Sequence, residues 1–278
     1  MRDFAYYNGV VTPYDAAYVP LSDRALFFGD AVYEVILGRR GIPYQLEEHL
    51  TRLFHNAQAI GLDGVPLKNE LEEAVNFLLD EAGADDFMLY VQLSGKQKRR
   101  AHERCEMGTN LLITVTEAQM PDELKLTSAI TLPDLRHAYC NIKTTNLLPA
   151  VLSVMDARMV ECDTAIFYSG SSVTEASAAN VSIIVQDLLV THPLDSSILP
   201  GISEANLVRA ATELGLRHER REFSVEEMVG ADAVLLSSTT KLVKTCSAID
   251  GRELSCSGYA TAKAIFGKML TDFLLKTT

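Results

Sequence analysis

The sequence predicts an α+β fold in two unequal parts. Helical and strand-like periodicities both occur along the chain. Strand-like segments often follow one another directly, which favours α+β over strict alternation of strands and helices. The polar segment QMPDE at 119–123 is the best linker in the sequence. We therefore expect a smaller domain at 1–119 and a larger domain at 120–278.

The first part predicts a hairpin, two helices and further strands. Asn8-Gly9 lies between two β-prone runs, and this dipeptide readily supplies the positive φ angles of a two-residue hairpin turn. A strand begins at Ala31, and apolar residues then recur at helical spacing in EEHLTRLFHNAQAIGL (47–62) and KNELEEAVNFLLDEAG (68–83). Strand-like FMLYVQLSG and NLLITVTEA flank a polar, basic loop.

The second part begins with a predicted strand at 124–132. Next comes RHAYCNIKTTNLLPAVL (136–152), whose single lysine, Lys143, precedes what looks like the start of a buried helix. The periodicity then predicts the following order: a helix at about 147–161, several strands to about 193, a helix at 203–217, a strand near AVLLSSTT, and the C-terminal helix YATAKAIFGKMLTDFLLK.

Composition and charge narrow the possible functions. Apolar residues make up 47% and charged residues 22%, which is typical of a globular protein. A net charge of −12 without a long basic run argues against nucleic acid as a partner. The chain shows no signal-peptide pattern and no membrane-spanning apolar run, so we expect a cytoplasmic protein. Its five scattered cysteines and six histidines match no disulfide framework and no metal-binding pattern.

Lys143 is the first candidate for chemistry, because a neutral amine is a strong nucleophile that forms Schiff bases with aldehydes. Its alternative is a lysine whose stem packs while the ammonium reaches water. In ILPGISEANLVRAA (198–211), Gly201 permits close backbone approach and Ser203 is expected to cap the helix, which leaves N–H groups free to bind a phosphate. The alternative there is an ordinary capped helix.

Two more segments carry polar groups of the right kind. LLSSTT (235–240) ends a candidate buried strand in four hydroxyls that could donate to the same phosphate; its alternative is a polar turn. Glu175 lies among small residues in VTEASAANV (173–181), where a carboxylate could hold a proton on a ring nitrogen; its alternative is a solvated loop glutamate. An amine, a phosphate site and such a carboxylate are together what pyridoxal 5′-phosphate requires of its protein.

Seven motifs in order carry a resemblance that spans nearly the whole chain: FFGDAVYEV (27–35), EEHLTRL (47–53), RRAH (99–102), NIKTTNLLPAVL (141–152), VTEASAANV (173–181), LPGIS (199–203) and SSTT (237–240). With them the chain resembles the fold type IV, or class IV, pyridoxal-phosphate aminotransferases, and within that family the D-amino acid aminotransferases. The resemblance implies a small N-terminal α/β domain, a larger C-terminal mixed α/β barrel-like domain, and the cofactor between them.

The same resemblance implies roles for individual residues. Lys143 would form the internal aldimine, Glu175 would pair with the pyridine nitrogen, and Leu199 would pack on the ring. The phosphate ligands it implies are Arg52, Ile202, Ser203, and Thr239 or Thr240.

The resemblance further implies ping-pong transamination between an amino acid, most readily a D-amino acid such as D-alanine, and a 2-oxo acid. Tyr33, Arg100 and His102 match the residues that grip the substrate carboxylate in D-amino acid aminotransferases. There the R-x-H loop comes from the neighbouring subunit, which implies a homodimer. The loop here is one residue longer between Gly95 and Arg100 than the family pattern, so Arg99 and Arg100 compete for this role.

Three other functions stay open at this point. A branched-chain L-amino acid aminotransferase and an aminodeoxychorismate lyase share the lysine, the glutamate and the phosphate site. A non-catalytic homologue that binds a ligand in the same pocket is the alternative from another class.

Overall fold

The computed structural model describes residues 2–96, 99–103, 108–255 and 257–278. Contacts divide the chain into two compact units. The first unit comprises Met1–Met120, Ile142–Asn146 and Leu274–Thr278, and the second comprises Pro121–Asn141 and Leu147–Phe273.

The first unit contains an antiparallel sheet whose strand order is β2-β1-β6-β5-β3-β4. Asn8 and Gly9 both have positive φ (48° and 94°), which confirms the predicted hairpin turn. Its elements are β1 (Phe4–Tyr7), β2 (Val10–Pro13), a 3-10 turn (Tyr14–Ala16), α1 (Ala25–Phe28), β3 (Ala31–Arg39), β4 (Ile42–Pro43), α2 (Leu46–Ala59), α3 (Lys68–Ala82), β5 (Phe87–Gly95) and β6 (Thr109–Glu117).

Helices α2 and α3 supply apolar side chains to the core of this unit, as their periodicity predicts. Leu50 and Leu53 of α2 and Leu78 of α3 are fully buried in one cluster with side chains from β3, β5 and β6. Gly38 of β3 makes room for the Phe87 ring, since a Cβ at position 38 would lie 2.0 Å from Phe87 Cζ. The helices are therefore held by burial of one face rather than by caps alone.

The segment around Lys143 belongs to the first unit because it pairs with β3. The Tyr33 N–H donates to the Lys143 carbonyl (3.0 Å), and the Thr145 N–H donates to the Ala31 carbonyl (3.2 Å). The contact units thus differ here, and at Leu274–Thr278, from a simple division near residue 120. The domain boundaries expected from the sequence, 1–119 and 120–278, stay a prediction.

The second unit is built on a mixed sheet with strand order β12-β11-β10-β13-β14-β7-β8-β9, and β9 also pairs with β10. That pairing closes β10, β13, β14, β7, β8 and β9 into a barrel, which confirms the predicted mixed α/β barrel-like architecture. Its elements are β7 (Lys125–Pro133), α4 (Leu148–Met159), β8 (Thr164–Ser169), β9 (Ser172–Ala176), β10 (Ala179–Val185), β11 (Leu188–Thr191), α5 (Ile202–Glu213), β12 (Arg217–Arg220), α6 (Val225–Gly230), β13 (Ala233–Ser238), β14 (Leu242–Ile249), β15 (Arg252–Glu253) and α7 (Tyr259–Lys276).

Two helices of this unit depart from the sequence predictions. Helix α4 was expected to be buried, yet Ser153 and Ala157 are its only buried residues. Apolar spacing predicts a helix but does not say what covers its face. Helix α5 ends at Glu213 rather than near 217, because Gly215 takes a left-handed conformation with φ of 90° and the chain turns into β12.

Among the described residues, no helix is both long and apolar enough to cross a lipid bilayer. The cytoplasmic location expected from the sequence stays a prediction. Of the five cysteines, Cys140, Cys162 and Cys246 are free thiols. Cys105 and Cys256 lie outside the described residues.

Candidate active site

The structure brings Lys143 and Tyr33 together in the first unit. Lys143 is half-buried, and its Nζ lies 4.4 Å from the centre of the Tyr33 ring. Tyr33 in turn stacks on Tyr90 with ring centres 5.3 Å apart, and the Tyr90 hydroxyl donates to Gln92 Oε1 (2.6 Å). An ammonium this close to an aromatic face is attracted by the ring's negative π surface. The lysine that carries the proposed chemistry therefore has a fixed aromatic neighbour.

The buried carboxylate of Glu34 holds Arg52. Glu34 lies on strand β3, next to Tyr33. Arg52 Nε and Nη2 donate to Glu34 Oε1 (2.7 Å) and Oε2 (2.8 Å), a bidentate pair. His49 Nδ1 lies 2.7 Å from Glu34 Oε2. Successive side chains of a strand point to opposite faces, so Glu34 points away from its neighbour Tyr33 and towards α2. Sequence analysis missed Glu34 and His49 as partners, although both lie inside motifs that it singled out.

Protonation of this cluster follows from burial and from charge. Glu34 and the His49 side chain are almost completely buried. Burial alone would raise the pKa of Glu34, but hydrogen bonds from Arg52 and His49 outweigh it and lower that pKa. Burial lowers the pKa of His49 despite the opposite effect of Glu34. His49 is therefore neutral near pH 7, and its Nδ1–H donates because the carboxylate can only accept.

Arg100 and His102 gather around one aromatic ring. The Arg100 guanidinium carbon lies 5.0 Å from the centre of the Phe28 ring, and the His102 ring centre lies 5.4 Å from the same point. Arg99 and Arg100 are both exposed. The structure thus brings the two predicted carboxylate ligands of the R-x-H motif together on Phe28 of helix α1, and the choice between Arg99 and Arg100 stays a prediction.

Glu175 lies in the second unit and is buried, unlike the solvated glutamate of the alternative interpretation. Its Oε2 accepts from the Leu199 N–H (3.0 Å) and from Asn180 Nδ2 (3.3 Å). Its Oε1 forms an ion pair with Arg136 Nη1. Strand β9 therefore presents a carboxylate whose position is set by a neighbouring strand, by the segment before α5 and by a guanidinium. The role of Glu175 towards a ring nitrogen stays a prediction.

Arg136 is a residue that sequence reasoning did not single out. Its guanidinium bridges Glu175 and Asp134, donating to Asp134 Oδ2 from Nη2 (2.7 Å), and it lies over the Phe167 ring at 4.9 Å. Burial would raise the pKa of Asp134, yet the Arg136 guanidinium and a hydrogen bond from Thr174 lower it. The available signal was an arginine three residues after strand β7 and seven residues before Lys143.

Two of the predicted phosphate ligands, Ile202 and Ser203, lie at the N-terminus of α5. Gly201 is the N-cap and Ile202 begins the helix, so the prediction that Ser203 caps it is wrong. Ser203 instead lies within the first turn, where backbone N–H groups have no partner in the helix. A Cβ at Gly201 would lie 2.0 Å from Asn180 Oδ1, which explains the glycine. Asn180 Nδ2 also donates to the Leu199 carbonyl (2.7 Å) and thereby fixes the turn before the helix.

The end of β13 supplies further donors in the same unit. Ser237 pairs in register with Asn180, and its buried Oγ has no hydrogen-bond partner among the described residues. A buried hydroxyl without a partner costs roughly 1–3 kcal/mol, so the site suits a ligand that accepts hydrogen bonds. Thr239 and Thr240 follow in a half-buried turn. The hydroxyls and the free N–H groups of α5 therefore fit a phosphate-bearing cofactor.

These features are those of a known enzyme class. The family model for class IV amino-transferases matches residues 31–249, so the chain belongs to the class IV aminotransferases and catalyses pyridoxal-phosphate-dependent transamination. This confirms the family, the fold class and the enzyme class that the sequence predicts.

Two similar proteins are named D-alanine aminotransferases. The chain is 33% identical over 254 residues to a D-alanine aminotransferase of Bacillus licheniformis, with 89% of each chain covered. It is 32% identical over 253 residues to a D-alanine aminotransferase of Staphylococcus epidermidis, with 90% of each covered.

Solved structures share the fold at lower identity. The branched-chain amino acid aminotransferase of Escherichia coli matches with a TM-score of 0.85 at 21% identity, covering 95% of this chain and 92% of that one. A putative 4-amino-4-deoxychorismate lyase of Legionella pneumophila matches with a TM-score of 0.84 at 21% identity, covering 92% and 96%. At this identity the likeness shows the fold alone.

The buried histidine of α2 gives a pH prediction. The unfolded chain protonates His49 near pH 6.5 while the folded chain does so only at lower pH, so the free energy of unfolding should fall as the pH drops below 6.5. One such proton contributes at most about 1.4 kcal/mol per pH unit. The lowered pKa of Glu34 adds a further loss only below its unfolded value near 4.5.

His49→Asn keeps a donor towards Glu34 and removes the titrating ring. Urea unfolding between pH 7.5 and 5.5 should therefore show a shallower pH dependence in this variant than in the wild type. His55→Asn, at an exposed position of the same helix, serves as the control and should keep the wild-type slope. Equal slopes for His49→Asn and the wild type would contradict the assignment.

Proposed function

We propose that the enzyme transfers the amino group of a D-amino acid, with D-alanine the first candidate, to a 2-oxo acid by a ping-pong mechanism. The observation that supports this proposal is the placement on one Phe28 ring of Arg100 and His102, the residues that match the carboxylate ligands of D-amino acid aminotransferases. A guanidinium fork and an imidazole donor together suit the α-carboxylate that amino acids and 2-oxo acids share. The relatives named D-alanine aminotransferase support the same substrate class.

The cofactor in this proposal is pyridoxal 5′-phosphate. Lys143 would bind it covalently, Glu175 would hold the proton of the ring nitrogen, and Leu199 would pack on the ring. The proposed phosphate ligands are Arg52, Ile202, Ser203, and Thr239 or Thr240. When bound, this cofactor supplies an electron sink for the negative charge that develops at the substrate Cα.

The residues of this chain then have separate tasks. The Lys143 amine takes a proton from the substrate Cα as a general base and later acts as a general acid. The Tyr33 ring, which stacks on Tyr90, limits where Nζ can lie. Arg136 and the Leu199 N–H stabilise negative charge on the Glu175 carboxylate and fix its direction. Tyr33, Arg100 and His102 hold the substrate carboxylate.

A substrate panel tests the proposal. D-Alanine, L-leucine and aminodeoxychorismate are offered in separate reactions with 2-oxoglutarate as acceptor. We expect turnover of D-alanine that Lys143→Ala reduces by at least about 10³-fold, since it removes both the covalent ligand and the general base. Lys263→Ala, at an exposed position of α7, is the control and should retain wild-type turnover.

Each other outcome points to a different function. Turnover of L-leucine alone would establish the branched-chain alternative, and release of pyruvate from aminodeoxychorismate without an acceptor would establish the lyase. A purified protein that gains no visible absorbance band with added cofactor would contradict the proposed role of Lys143 and favour the non-catalytic alternative. Retained activity in Lys143→Ala would remove this lysine from the mechanism.

We further propose that the enzyme is a homodimer. Helix α4 exposes an apolar stripe at helical spacing, namely Leu148, Val151, Leu152, Met155 and Met159. A stripe of this kind on a folded protein marks a contact surface, and a second copy of the same chain is the commonest occupant. A dimer would also let the Arg100 and His102 loop serve the neighbouring subunit, as the family resemblance implies.

Charge in the middle of this stripe should separate the subunits. Met155→Glu introduces a carboxylate at a side chain that is 58% exposed in one chain, and burying it unpaired in a dimer is costly. We expect light scattering coupled to size exclusion to show monomers, with loss of turnover. Phe77→Glu on α3, at 51% exposure, is the matched control and should stay dimeric and active. A Met155→Glu dimer of wild-type mass would place the interface elsewhere.

A further inference from the structure

We propose that Arg24 is the positioning residue for the segment that carries Arg100 and His102, and that it thereby sets the affinity for the carboxylate of both substrates. The inference rests on the proposed function only in taking Arg100 and His102 as the carboxylate ligands. All of the contacts that support it lie within the first unit.

Arg24 binds three successive carbonyls of this segment. Its Nη1 donates to the carbonyls of Ala101 (2.6 Å) and Glu103 (3.4 Å), and its Nη2 donates to the carbonyl of His102 (3.0 Å). The side chain is only 7% exposed. A guanidinium presents its donors in a rigid plane, so one side chain can fix the path of three residues. The contacts are to main chain and therefore do not depend on neighbouring side chains.

Asp30 balances the buried charge of Arg24. Arg24 Nε donates to Asp30 Oδ2 at 2.5 Å, and the Asp30 side chain is 12% exposed. A buried guanidinium without an anionic partner would be strongly destabilising. The pair also needs Gly95 beside it, because a Cβ there would lie 2.9 Å from Arg24 Cδ and 3.0 Å from Asp30 Oδ2.

Arg24 and Asp30 also bind Gly95, where the chain leaves strand β5 for the loop. The Arg24 N–H donates to the Gly95 carbonyl (3.1 Å), and the Gly95 N–H donates to the Asp30 carbonyl (3.1 Å). Gly95 ends strand β5, just before the chain leaves the sheet. Arg24 and Asp30 therefore join the end of β5 to the segment at 101–103, and they limit the positions that Arg100 and His102 can reach.

Asp23, the residue before Arg24, anchors the Arg24 backbone to the sheet. Asp23 is fully buried, and its Oδ2 accepts three side-chain hydrogen bonds from three different strands or strand ends. The donors are Tyr7 Oη at 3.0 Å, Ser94 Oγ at 2.7 Å and Asn110 Nδ2 at 3.0 Å. These bonds fix the position of the Arg24 backbone. The guanidinium therefore holds the loop in one position relative to the sheet.

Phe28 completes the support. The Arg24 guanidinium carbon lies 4.7 Å from the centre of the Phe28 ring, the ring that also packs with Arg100 and His102. Without the Arg24 fork, the segment would have to be ordered each time a carboxylate binds. Ordering costs reduce affinity for every ligand that uses the segment, whatever its side chain.

Arg24→Lys tests this role, because a lysine keeps the charge opposite Asp30 but cannot form the fork. We expect the KM values for D-alanine and for 2-oxoglutarate each to rise about tenfold, which corresponds to the loss of one or two hydrogen bonds. The kcat should stay within about twofold and the visible absorbance of the holoenzyme should be unchanged, since Lys143 is untouched. Arg2→Lys, at an exposed position of the same unit, should leave both KM values at wild type.

A second readout does not depend on turnover. Trypsin cuts after Arg99 and Arg100 only when this segment loosens, so the rate of cleavage there, followed by mass spectrometry, should rise several-fold in Arg24→Lys. Asp30→Asn removes the charge partner of Arg24 while keeping its shape. If Arg24→Lys does not fold, the two KM values and the rate of cleavage are measured in Asp30→Asn, where all of them should rise.

Two results would overturn the inference. One is KM values unchanged in both variants, with or without faster cleavage. The other is a rise in KM that comes with a large fall in kcat and in cofactor absorbance, which would show general damage rather than positioning. Failure of the proposed function is seen separately in the wild type: if L-leucine is turned over in place of D-alanine, the same KM comparison is made with L-leucine.

Discussion

The backbone pairing between Lys143 and strand β3 is the constraint on which the candidate residues of the first unit depend. The chain leaves this unit after Met120 and returns to it for Ile142–Asn146, and again at Leu274–Thr278. Hydrogen bonds from Tyr33 and Thr145 secure the return, and Asn146 Nδ2 adds a bond to the Gly29 carbonyl (3.0 Å). A nucleophile on such a segment is oriented before substrate arrives, which lowers the entropic part of the barrier.

Side chains alternate between the two faces of strand β3, and each face positions a different candidate residue. Tyr33 lies on one face with the lysine, while Glu34 points to the other face and binds Arg52 and His49 on α2. Because these neighbours share one strand, the distance between the lysine and the helix that carries Arg52 is set by backbone geometry rather than by flexible side chains. The second unit uses the same principle, since Asn180 on β10 contacts both Glu175 and the turn before α5.

Periodicity and residue chemistry predicted much of this structure. The hairpin at Asn8-Gly9, helices α2 and α3 and the C-terminal helix are determined by local pattern, and the structure shows each of them. Lys143, Glu175 and the segments at 198–211 and 235–240 together predict the cofactor from their residue types. Such features are local, so a sequence alone reveals them.

Partners distant in the chain could not be predicted in this way. Arg136 meets Glu175 across 39 positions, and Arg24 meets the loop across more than 70. Nothing in a single sequence links such residues, since burial and pairing arise only when the sheet forms. The prediction that α4 is buried is wrong for a related reason: the apolar spacing of the helix does not encode which surface covers it.

In the proposed mechanism, Lys143 alone binds the cofactor aldehyde. The most direct measurement is borohydride reduction of the holoenzyme, followed by trypsin digestion and mass spectrometry. A modified lysine resists trypsin, so we expect the pyridoxyl mass on a single peptide, 137–158, with residue 143 uncleaved. Label on any other lysine, or no label in a holoenzyme that shows a visible cofactor band, would contradict it.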